Sequence, residues 1–381
     1  MVTREDVLGA LRGVIDPELG GNIVELGMVS DVAIGPDGHV DIGIALTIAE
    51  CPMRGRIESD TARKVEAMPG VTKVDVHTTA MTKAQRANVM SVARHRAREN
   101  AEPTRLHPNT RVIAVGSGKG GVGKSTVTVN LAAGLRDRGY QVGILDADIW
   151  GFSIPRMLGS DQKLEANDET RLIVPAMVDG IRVVSTGMII DSEETALMWR
   201  GLMLSKALEQ FLKQVDWGDL DYLLIDLPPG TGDIQMALSR MLPQAELLVV
   251  TTPQTAARKV AVRVADMARR SYLPVIGVVE NMADFVCEHG TSYPLFGSGG
   301  GDTLSTDLGV PLVASIPVDA AVVAGGDAGK PVVTGTGPAA SAFASAVDRI
   351  LELVPPAQDE TCTGRIARLL ESLPEPALAT D

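Results

Sequence analysis

Apolar residues in the first 80 positions of the chain recur with two different periods. One group falls on a single face of a predicted helix: Val7, Leu8, Leu11, Val14 and Ile15. A second group alternates with polar residues, as in a strand with one buried face: Val40, Ile42, Ile44 and Leu46. A helical stretch ending at Met68 and a further strand from Val71 to Val76 follow. This pattern predicts a small α+β unit.

From Arg111 onward the pattern changes to short apolar runs that alternate with helical segments. The runs cover residues 112–115, 142–145, 222–225, 247–250, 275–279 and 312–313. Continuous apolar strands separated by helices are typical of a mostly parallel sheet that is covered on both faces. We therefore predict a doubly wound α/β domain, and in such sheets ligands bind at the carboxyl ends of the strands.

The polar and basic stretch between residues 84 and 110 separates these two patterns. It is closed by Pro103 and Pro108 and predicts a helix that runs into a linker. We place the small α+β domain at residues 1–100, the α/β domain at 105–356 and a C-terminal tail at 357–381. Apolar residues at helical spacing predict an amphipathic helix in the tail: Ile366, Leu369, Leu370 and Leu373.

Composition narrows the classes of partner. A net charge of -13 repels a phosphate backbone, and an aromatic content of 3% leaves few stacking platforms, so we expect no nucleic acid partner. The basic run from Arg86 to Arg98 fits a solvated helix face. Three scattered cysteines are too few for a disulfide framework and indicate a reducing cytoplasm. Since no export signal or membrane-length apolar run occurs, we expect no membrane partner.

A glycine-rich motif follows the first predicted strand of the α/β domain. It reads Gly118-Lys119-Gly120-Gly121-Val122-Gly123-Lys124-Ser125, followed by Thr126. This matches the P-loop pattern between a strand and a helix. The glycines let successive backbone N–H groups point at phosphate oxygens, and the helix N-terminus adds its dipole. In this pattern Lys124 reaches the β and γ phosphates and Ser125 ligates Mg²⁺. The motif predicts an ATP site.

Acidic residues end two of the predicted strands. Asp226 follows the run 222–225, where P-loop enzymes place an aspartate of the magnesium shell. Asp148 lies where an attacking water could be oriented. Asp146 is a candidate for supporting the loop through hydrogen bonds, and spacing alone does not rank these two aspartates.

A second lysine lies early in the loop, at Lys119. It is not needed to hold phosphate within its own subunit. A cation donated across a dimer interface would stabilise transition-state charge as an arginine finger does. We therefore predict that Lys119, Lys124 and Asp148 act in catalysis and that hydrolysis depends on a homodimer. The alternative for Lys119 is a solvated cation near an anionic ligand.

These motifs resemble those of the Mrp-type iron-sulfur cluster carrier ATPases, relatives of the septum-site and partition ATPases with two P-loop lysines. Besides the P-loop, the resemblance rests on residues 145–155, 225–233, 199–201 and 279–282. The N-terminal unit is similar to a domain of iron-sulfur assembly factors, at residues 16–18, 26–29 and 51–52. The resemblance implies an ATPase that passes iron-sulfur clusters to apoproteins, works with assembly factors, and contacts adenine through Asn281.

The chain departs from this family at the cluster ligands. The family has a Cys-x-x-Cys pair, and here Cys287 is followed by Gly290 at the second position. A dimer would then supply only two thiolates from this site, whereas a bridging cluster needs two from each subunit. His289 is a candidate mixed ligand. Cys51, at a predicted helix N-terminus, is a candidate substitute or a small buried hydrophobe. A second function therefore stays open: a nucleotide-switched regulatory or scaffolding ATPase that carries no cluster.

Overall fold

The protein is described by a computed structural model. The described residues are 2–16, 21–47, 53–82, 84–89, 91–92, 103–149, 151–189, 201–230, 232–271, 273–287 and 289–357. The chain divides into two compact units. One comprises Met1–Glu102, Leu238–Gln244 and Arg269–Leu273, and the other comprises Pro103–Ala237, Ala245–Ala268 and Pro274–Asp381. Cys51, the block 199–200 and the predicted tail helix lie outside the described residues.

Within the described residues, the N-terminal part of the first unit contains five strands, two helices with defined bounds, and a further helical stretch at residues 84–89 and 91–92. Their bounds are α1 Arg4–Leu11, α2 Arg54–Glu66, β1 Ile15–Asp16, β2 Gly21–Asn22, β3 Val29–Ile34, β4 His39–Leu46 and β5 Lys73–Ala80. Thr3 is the N-cap of α1 and forms a capping box with Asp6. β4 lies between β3, which is antiparallel to it, and β5, which is parallel. The alternating apolar side chains of β4 are buried in the core of this unit, as their period predicts.

Two sequence predictions for this unit are wrong in detail. α1 ends at Leu11, so Ile15 does not share its face; it begins β1 and is 51% exposed. The strand predicted at 71–76 is instead β5 at Lys73–Ala80. It continues to Ala80 because all eight of its residues pair in parallel register with β4.

The rest of the chain supplies twelve strands, eight α-helices and two short 3-10 helices, Thr186–Met188 and Val332–Thr334, within the described ranges. The strands are β6 Arg111–Ser117, β7 Val142–Asp146, β8 Glu165–Ala166, β9 Ile173–Val174, β10 Ala176–Val178, β11 Ile181–Ser185, β12 Tyr222–Asp226, β13 Glu246–Thr251, β14 Val275–Glu280, β15 Phe285–Val286, β16 Ser292–Tyr293 and β17 Leu312–Ser315. The helices are α3 Lys124–Asp137, α4 Ile154–Met157, α5 Gly201–Gln214, α6 Gly232–Met241, α7 Thr255–Arg270, α8 Gly300–Leu308, α9 Ala320–Asp327 and α10 Pro338–Leu353. Across the described part of the chain, none of the helices is long and apolar enough to cross a bilayer.

Eight of these strands form one sheet, in the order β10-β11-β7-β12-β6-β13-β14-β17. All neighbours pair in parallel except the edge pair β10 and β11. The fold class predicted from the apolar runs, a mostly parallel α/β sheet preceded by a small α+β domain, is confirmed. The central strands are almost completely buried and share one core with α3 and α10.

Several strands of this sheet carry polar residues to the same edge. β6 ends at Ser117, β7 at Asp146, β12 at Asp226 and β14 at Glu280, which precedes Asn281. β7, β12 and β6 are direct neighbours and run parallel. The carboxyl ends of parallel strands meet at one edge, so the sheet itself gathers the residues that follow them.

Candidate functional site

The glycine-rich loop joins β6 to α3, and two of its glycines have left-handed backbones. Gly121 has φ of 78° and Gly123, which precedes the first residue of α3, has φ of 80°. A side chain at these positions would be strained, which explains glycine there. The turn presents the N-terminus of a 14-residue helix at the edge of the sheet. Unpaired backbone N–H groups and the helix dipole at such a position favour an anion.

Gly118 allows the loop to approach a neighbouring helix. A Cβ at Gly118 would lie 2.5 Å from the backbone N of Ala261 and 2.5 Å from the carbonyl carbon of Val260 in α7. A Cβ at Gly120, in contrast, would meet only a Pro229 side-chain atom at 3.9 Å. The same loop therefore contains one glycine required by packing and one whose replacement by alanine meets no steric obstacle.

We expect Gly118→Ala to lower the free energy of unfolding by about 1–3 kcal/mol, because overpacking against backbone forces the loop to shift. The displaced loop should also bind nucleotide more weakly. Gly120→Ala is the matched control and should leave stability within about 0.5 kcal/mol of the parent. Chemical denaturation with titration of a fluorescent nucleotide measures both effects. Equal behaviour of the two variants would contradict this account of Gly118.

A buried ion pair lies at the base of the loop. Lys124 Nζ is 2.7 Å from Asp226 Oδ2, and their side chains are 7% and 1% exposed. Ser125 Oγ donates a hydrogen bond of 2.6 Å to the same carboxylate oxygen, and Thr128 Oγ1 lies 2.9 Å from Asp226 Oδ1. Asp226 thus holds the lysine and the hydroxyl of the loop together. An anionic ligand at the loop would compete with Asp226 for Lys124.

Asp146 and Asp148 occupy different environments. Asp146 is fully buried and accepts hydrogen bonds from Ser185 Oγ at 3.0 Å and from the backbone N of Asp148 at 3.2 Å. Burial, reinforced by the negative charge of Asp226, raises the pKa of Asp146 to about 7. The side chain of Asp148 is 15% exposed and lies 3.9 Å from Lys124 Nζ. Burial raises the pKa of Asp148, and Lys124 opposes that shift. Asp146 is thereby suited to support the loop, and Asp148 to face a ligand.

The loop opens into a cavity of about 680 Å³, within the usual range for small-ligand sites. Its lining includes loop and polar residues: Ser117, Gly120, Gly121, Gly123, Lys124, Ser125, Thr126, Asp148 and Asn281. Apolar residues also line it: Met157, Met282, Phe296, Pro317, Val318, Val322 and Val323. Lys119 does not line this cavity, and its side chain is exposed. Lys124, Ser125, Asp148, Asp226 and Asn281 lie together around the loop, whereas Lys119 and Cys287 do not line the cavity.

Asn281 makes a contact that sequence reasoning did not predict. Its side chain is 5% exposed, and Nδ2 donates a hydrogen bond of 3.0 Å to the carbonyl oxygen of Val122 in the loop. Asn281 also lines the cavity, so contact with an adenine base stays a prediction. In this structure its amide braces the phosphate loop.

Cys287 lies in a short hairpin formed by β15 and β16. Its backbone N donates to the Thr291 carbonyl at 3.0 Å, and the N of Gly290 donates to the Cys287 carbonyl at 2.8 Å. The thiol is free and partly exposed, and backbone hydrogen bonds from His289 and Thr291 lower its pKa. Gly290 has φ of 78°, a conformation that a cysteine would adopt only with strain. The turn therefore favours glycine at the position of the second family cysteine.

A complete metal site is not formed within the described part of one chain, where no group of three or more His, Cys, Asp or Glu side chains could hold a metal ion. His289 is exposed near Cys287, and Cys51 lies outside the described residues. Any cluster at Cys287 would accordingly need ligands from a second chain or from residues beyond those described.

Sequence reasoning missed several residues that build the site. Thr128, four residues after Lys124 in α3, shares its helix face, so helical spacing could have found it. Ser185, which holds Asp146, ends β11 beside β7, and only the sheet order reveals that pairing. The cavity wall at 317–327 is distant in sequence and carries no motif that would signal a ligand.

Comparison with known proteins agrees with this geometry. The family model described as the NUBPL iron-transfer P-loop NTPase matches residues 109–353. The chain belongs to this family. A second model, described as an iron-sulfur cluster assembly protein, matches residues 4–76 of this iron-transfer P-loop NTPase. The resemblance seen in the sequence motifs is thus confirmed for both parts of the chain.

Relatives of this iron-transfer NTPase cover most of its length. It is 48% identical to an iron-sulfur cluster carrier protein of Mycobacterium leprae, over 85% of this chain and 86% of that protein. It is 42% identical to an iron-sulfur cluster carrier protein of Synechocystis, over 90% of this chain and 95% of that protein. A solved nucleotide-binding protein of Archaeoglobus fulgidus in complex with ADP is 34% identical, with a TM-score of 0.51 over 64% of this chain and 94% of that chain.

Proposed function

We propose that the chain is an ATP-hydrolysing iron-sulfur cluster carrier of the cytoplasm, which binds clusters and transfers them to apoproteins through a nucleotide-dependent homodimer. The observation that carries this proposal is the placement of the free thiol of Cys287, in a hairpin that follows directly from the cavity wall at Asn281 and Met282. The family match and the names of the M. leprae and Synechocystis relatives support it. Apoproteins and assembly factors are the partners that this activity requires.

The residues around the phosphate loop fit the binding of ATP with Mg²⁺. The hydroxyl of Ser125 and the carboxylate of Asp226, which share a hydrogen bond of 2.6 Å, are the hard oxygen donors that Mg²⁺ prefers. When bound, Mg²⁺ neutralises charge on the phosphates. Lys124 would bind the β and γ phosphates, and the backbone from Gly118 to Thr126 would surround them. Asp148, which faces the cavity, would orient the attacking water.

Lys119 would act in the partner subunit of the dimer. Its side chain is exposed and does not line the cavity of its own chain. Its backbone carbonyl accepts a hydrogen bond of 3.1 Å from Ser117 Oγ, which fixes the loop at this point. A loop fixed in this way presents the lysine outward. Such a cation, entering the cavity of a second chain, would stabilise the charge that develops on the transferred phosphoryl group.

The cluster would lie between two copies of Cys287. The lowered pKa of this thiol favours the thiolate, the form that binds iron. Two chains supply two thiolates here, so His289 or Cys51 would complete the ligand set. The partial exposure of Cys287 would let a recipient protein reach the cluster.

Anaerobic reconstitution with iron and sulfide tests the proposal. We expect the parent protein to gain a visible absorption band typical of a cluster and Cys287→Ala to lose it. Cys362→Ala is the matched control, since Cys362 belongs to the tail, and it should keep the band. A parent protein that gains no band, or a Cys287→Ala variant that keeps it in full, would refute the proposed cargo.

A second candidate function follows from Gly290, which lies where the family has a cysteine and has a backbone that favours glycine. In that case nucleotide-controlled dimerisation would recruit a partner, and no cluster would be carried. Absence of the band together with an ATP-dependent complex between this chain and a protein partner would favour it. Gel shifts and liposome pelleting, with and without ATP, would separate versions that bind DNA or membranes, although the net charge of -13 disfavours both.

A further inference from the structure

A continuous segment of seven residues joins the phosphate loop to Cys287. It begins at Asn281, directly after β14. Asn281 Nδ2 donates to the carbonyl oxygen of Val122. A Cβ on the next loop residue, Gly123, would lie only 2.1 Å from Asn281 Nδ2. The loop and this side chain are therefore in close contact, and a shift of the loop toward Asn281 would displace its side chain.

Met282 has an unusual backbone for its residue type. Its φ of 55° places it in the left-handed region, and it lines the nucleotide cavity. A non-glycine residue in this region costs of order 1 kcal/mol or more and persists where surrounding contacts impose it. Within the described residues, only Arg171 and Asp179 share this feature, and neither lines the cavity. The strained residue thus lies at the junction between the loop contact and the chain leading to Cys287.

The hairpin of residues 285–293, termed the Cys287 hairpin, is attached to the cavity wall at its base. The N of Ala283 donates to the Ile316 carbonyl at 2.9 Å, and the N of Val318 donates to the Asp284 carbonyl at 3.2 Å. Ser292 Oγ closes the base with a bond of 2.6 Å to Asp284 Oδ2. Val318 itself lines the nucleotide cavity. The hairpin accordingly extends from two segments that a bound nucleotide would touch.

We propose that Asn281 and Met282 transmit nucleotide occupancy of the phosphate loop to the Cys287 hairpin. Nucleotide entering the loop competes for Lys124 and repositions the loop backbone, including the Val122 carbonyl that Asn281 holds. Asn281 then moves with it, the left-handed backbone at Met282 relaxes or tightens, and the hairpin changes its position. Asn281 and Met282 are positioning residues in this scheme. The inference rests on the nucleotide site of the proposed function and does not require cluster binding.

Alkylation of Cys287 in the iron-free, full-length protein reports the position of the hairpin. The rate of modification by iodoacetamide is followed at the Cys287 peptide by mass spectrometry, without nucleotide and with saturating Mg-ADP or a non-hydrolysable ATP analogue. We expect nucleotide to change the rate by about fivefold or more, the lower end of typical coupling between sites. Binding of a fluorescent nucleotide is measured separately to confirm saturation.

Two variants test the assigned residues. Met282→Gly removes the strain and gives the junction free rotation, so nucleotide should still bind while its effect on the alkylation rate falls to less than about twofold. Asn281→Ala removes the contact with Val122. At saturating nucleotide, the effect of nucleotide on its alkylation rate should likewise fall to less than about twofold. Arg171→Gly, which relieves a φ of 58° outside the cavity, is the matched control and should keep the full nucleotide effect.

The inference is overturned if saturating nucleotide leaves the alkylation rate of the parent protein unchanged, or if Met282→Gly keeps the full nucleotide effect. Should Asn281→Ala fail to fold or to bind nucleotide, Met282→Gly decides alone. A protein that shows the nucleotide effect but binds no cluster would refute the proposed cargo and leave this coupling intact. A protein that binds a cluster but shows no nucleotide effect would support the proposed cargo and refute this coupling.

Discussion

Lys124→Ala should abolish ATP hydrolysis. We expect turnover to fall at least about a hundredfold, which is the usual effect of removing one group that stabilises the charge of a transition state. Lys124 is the cation buried at the base of the loop, 2.7 Å from Asp226 and 3.9 Å from Asp148. When nucleotide binds, it is the side chain positioned to exchange this carboxylate for phosphate oxygens. Phosphate release over time, at saturating ATP and Mg²⁺, measures the effect.

Loss of Lys124 also leaves Asp226, which is 1% exposed, without its countercharge, so folding must be measured alongside activity. Lys124→Arg retains a positive charge beside Asp226 and should fold, but its planar head group does not reproduce the point charge of an ammonium. We expect both variants to be inactive and the arginine variant to keep a thermal midpoint near that of the parent. A folded Lys124 variant with more than about a tenth of parental turnover would contradict the assigned role.

Lys119→Ala should spare nucleotide binding and lower turnover by roughly a thousandfold, the lower end of what an arginine finger supplies. Lys119 is exposed and lies outside the lining of its own cavity, and in the proposed dimer its charge would act in the second chain. Fluorescent nucleotide titration and phosphate release separate the two effects. Lys64→Ala, which removes an exposed lysine from α2 of the N-terminal unit, is the control and should change neither.

Mixing the two lysine variants distinguishes donation across a dimer from action within one chain. In a mixed dimer, the Lys119→Ala subunit retains Lys124 and can receive Lys119 from the Lys124→Ala subunit. We expect the mixture to recover part of the activity that each variant lacks alone. If the mixture stays inactive although mixed dimers form, or if Lys119→Ala alone turns over at the parental rate, then no lysine is donated in trans.

Much of the nucleotide site could be predicted from the sequence, because its chemistry is concentrated in one short motif. The spacing of Lys124 and Ser125 after the glycines, between a strand and a helix, specifies the loop. Asp226 could be added because it ends an apolar run, and parallel strands bring their carboxyl ends to one edge. The structure places Asp226 within 2.7 Å of both side chains.

The remaining features depend on tertiary packing, which short patterns do not encode. Spacing could not rank Asp146 and Asp148, because burial and the partner Ser185 distinguish them. The contact of Asn281 with Val122 spans 159 positions and has no local signal. The apolar character of Ile15 fits the helical period, but the helix ends at Leu11 because tertiary packing, not periodicity, sets its end.

The proposal that this NTPase carries a cluster depends on Cys287, and the most direct test is iron and acid-labile sulfide analysis of the protein isolated without exposure to air. We predict iron and sulfide in equal amounts, in a protein that elutes as a dimer, with both lost in Cys287→Ala. Protein isolated anaerobically without iron or sulfide, yet active as an ATPase, would contradict cluster carriage and leave the nucleotide-switched scaffold in its place.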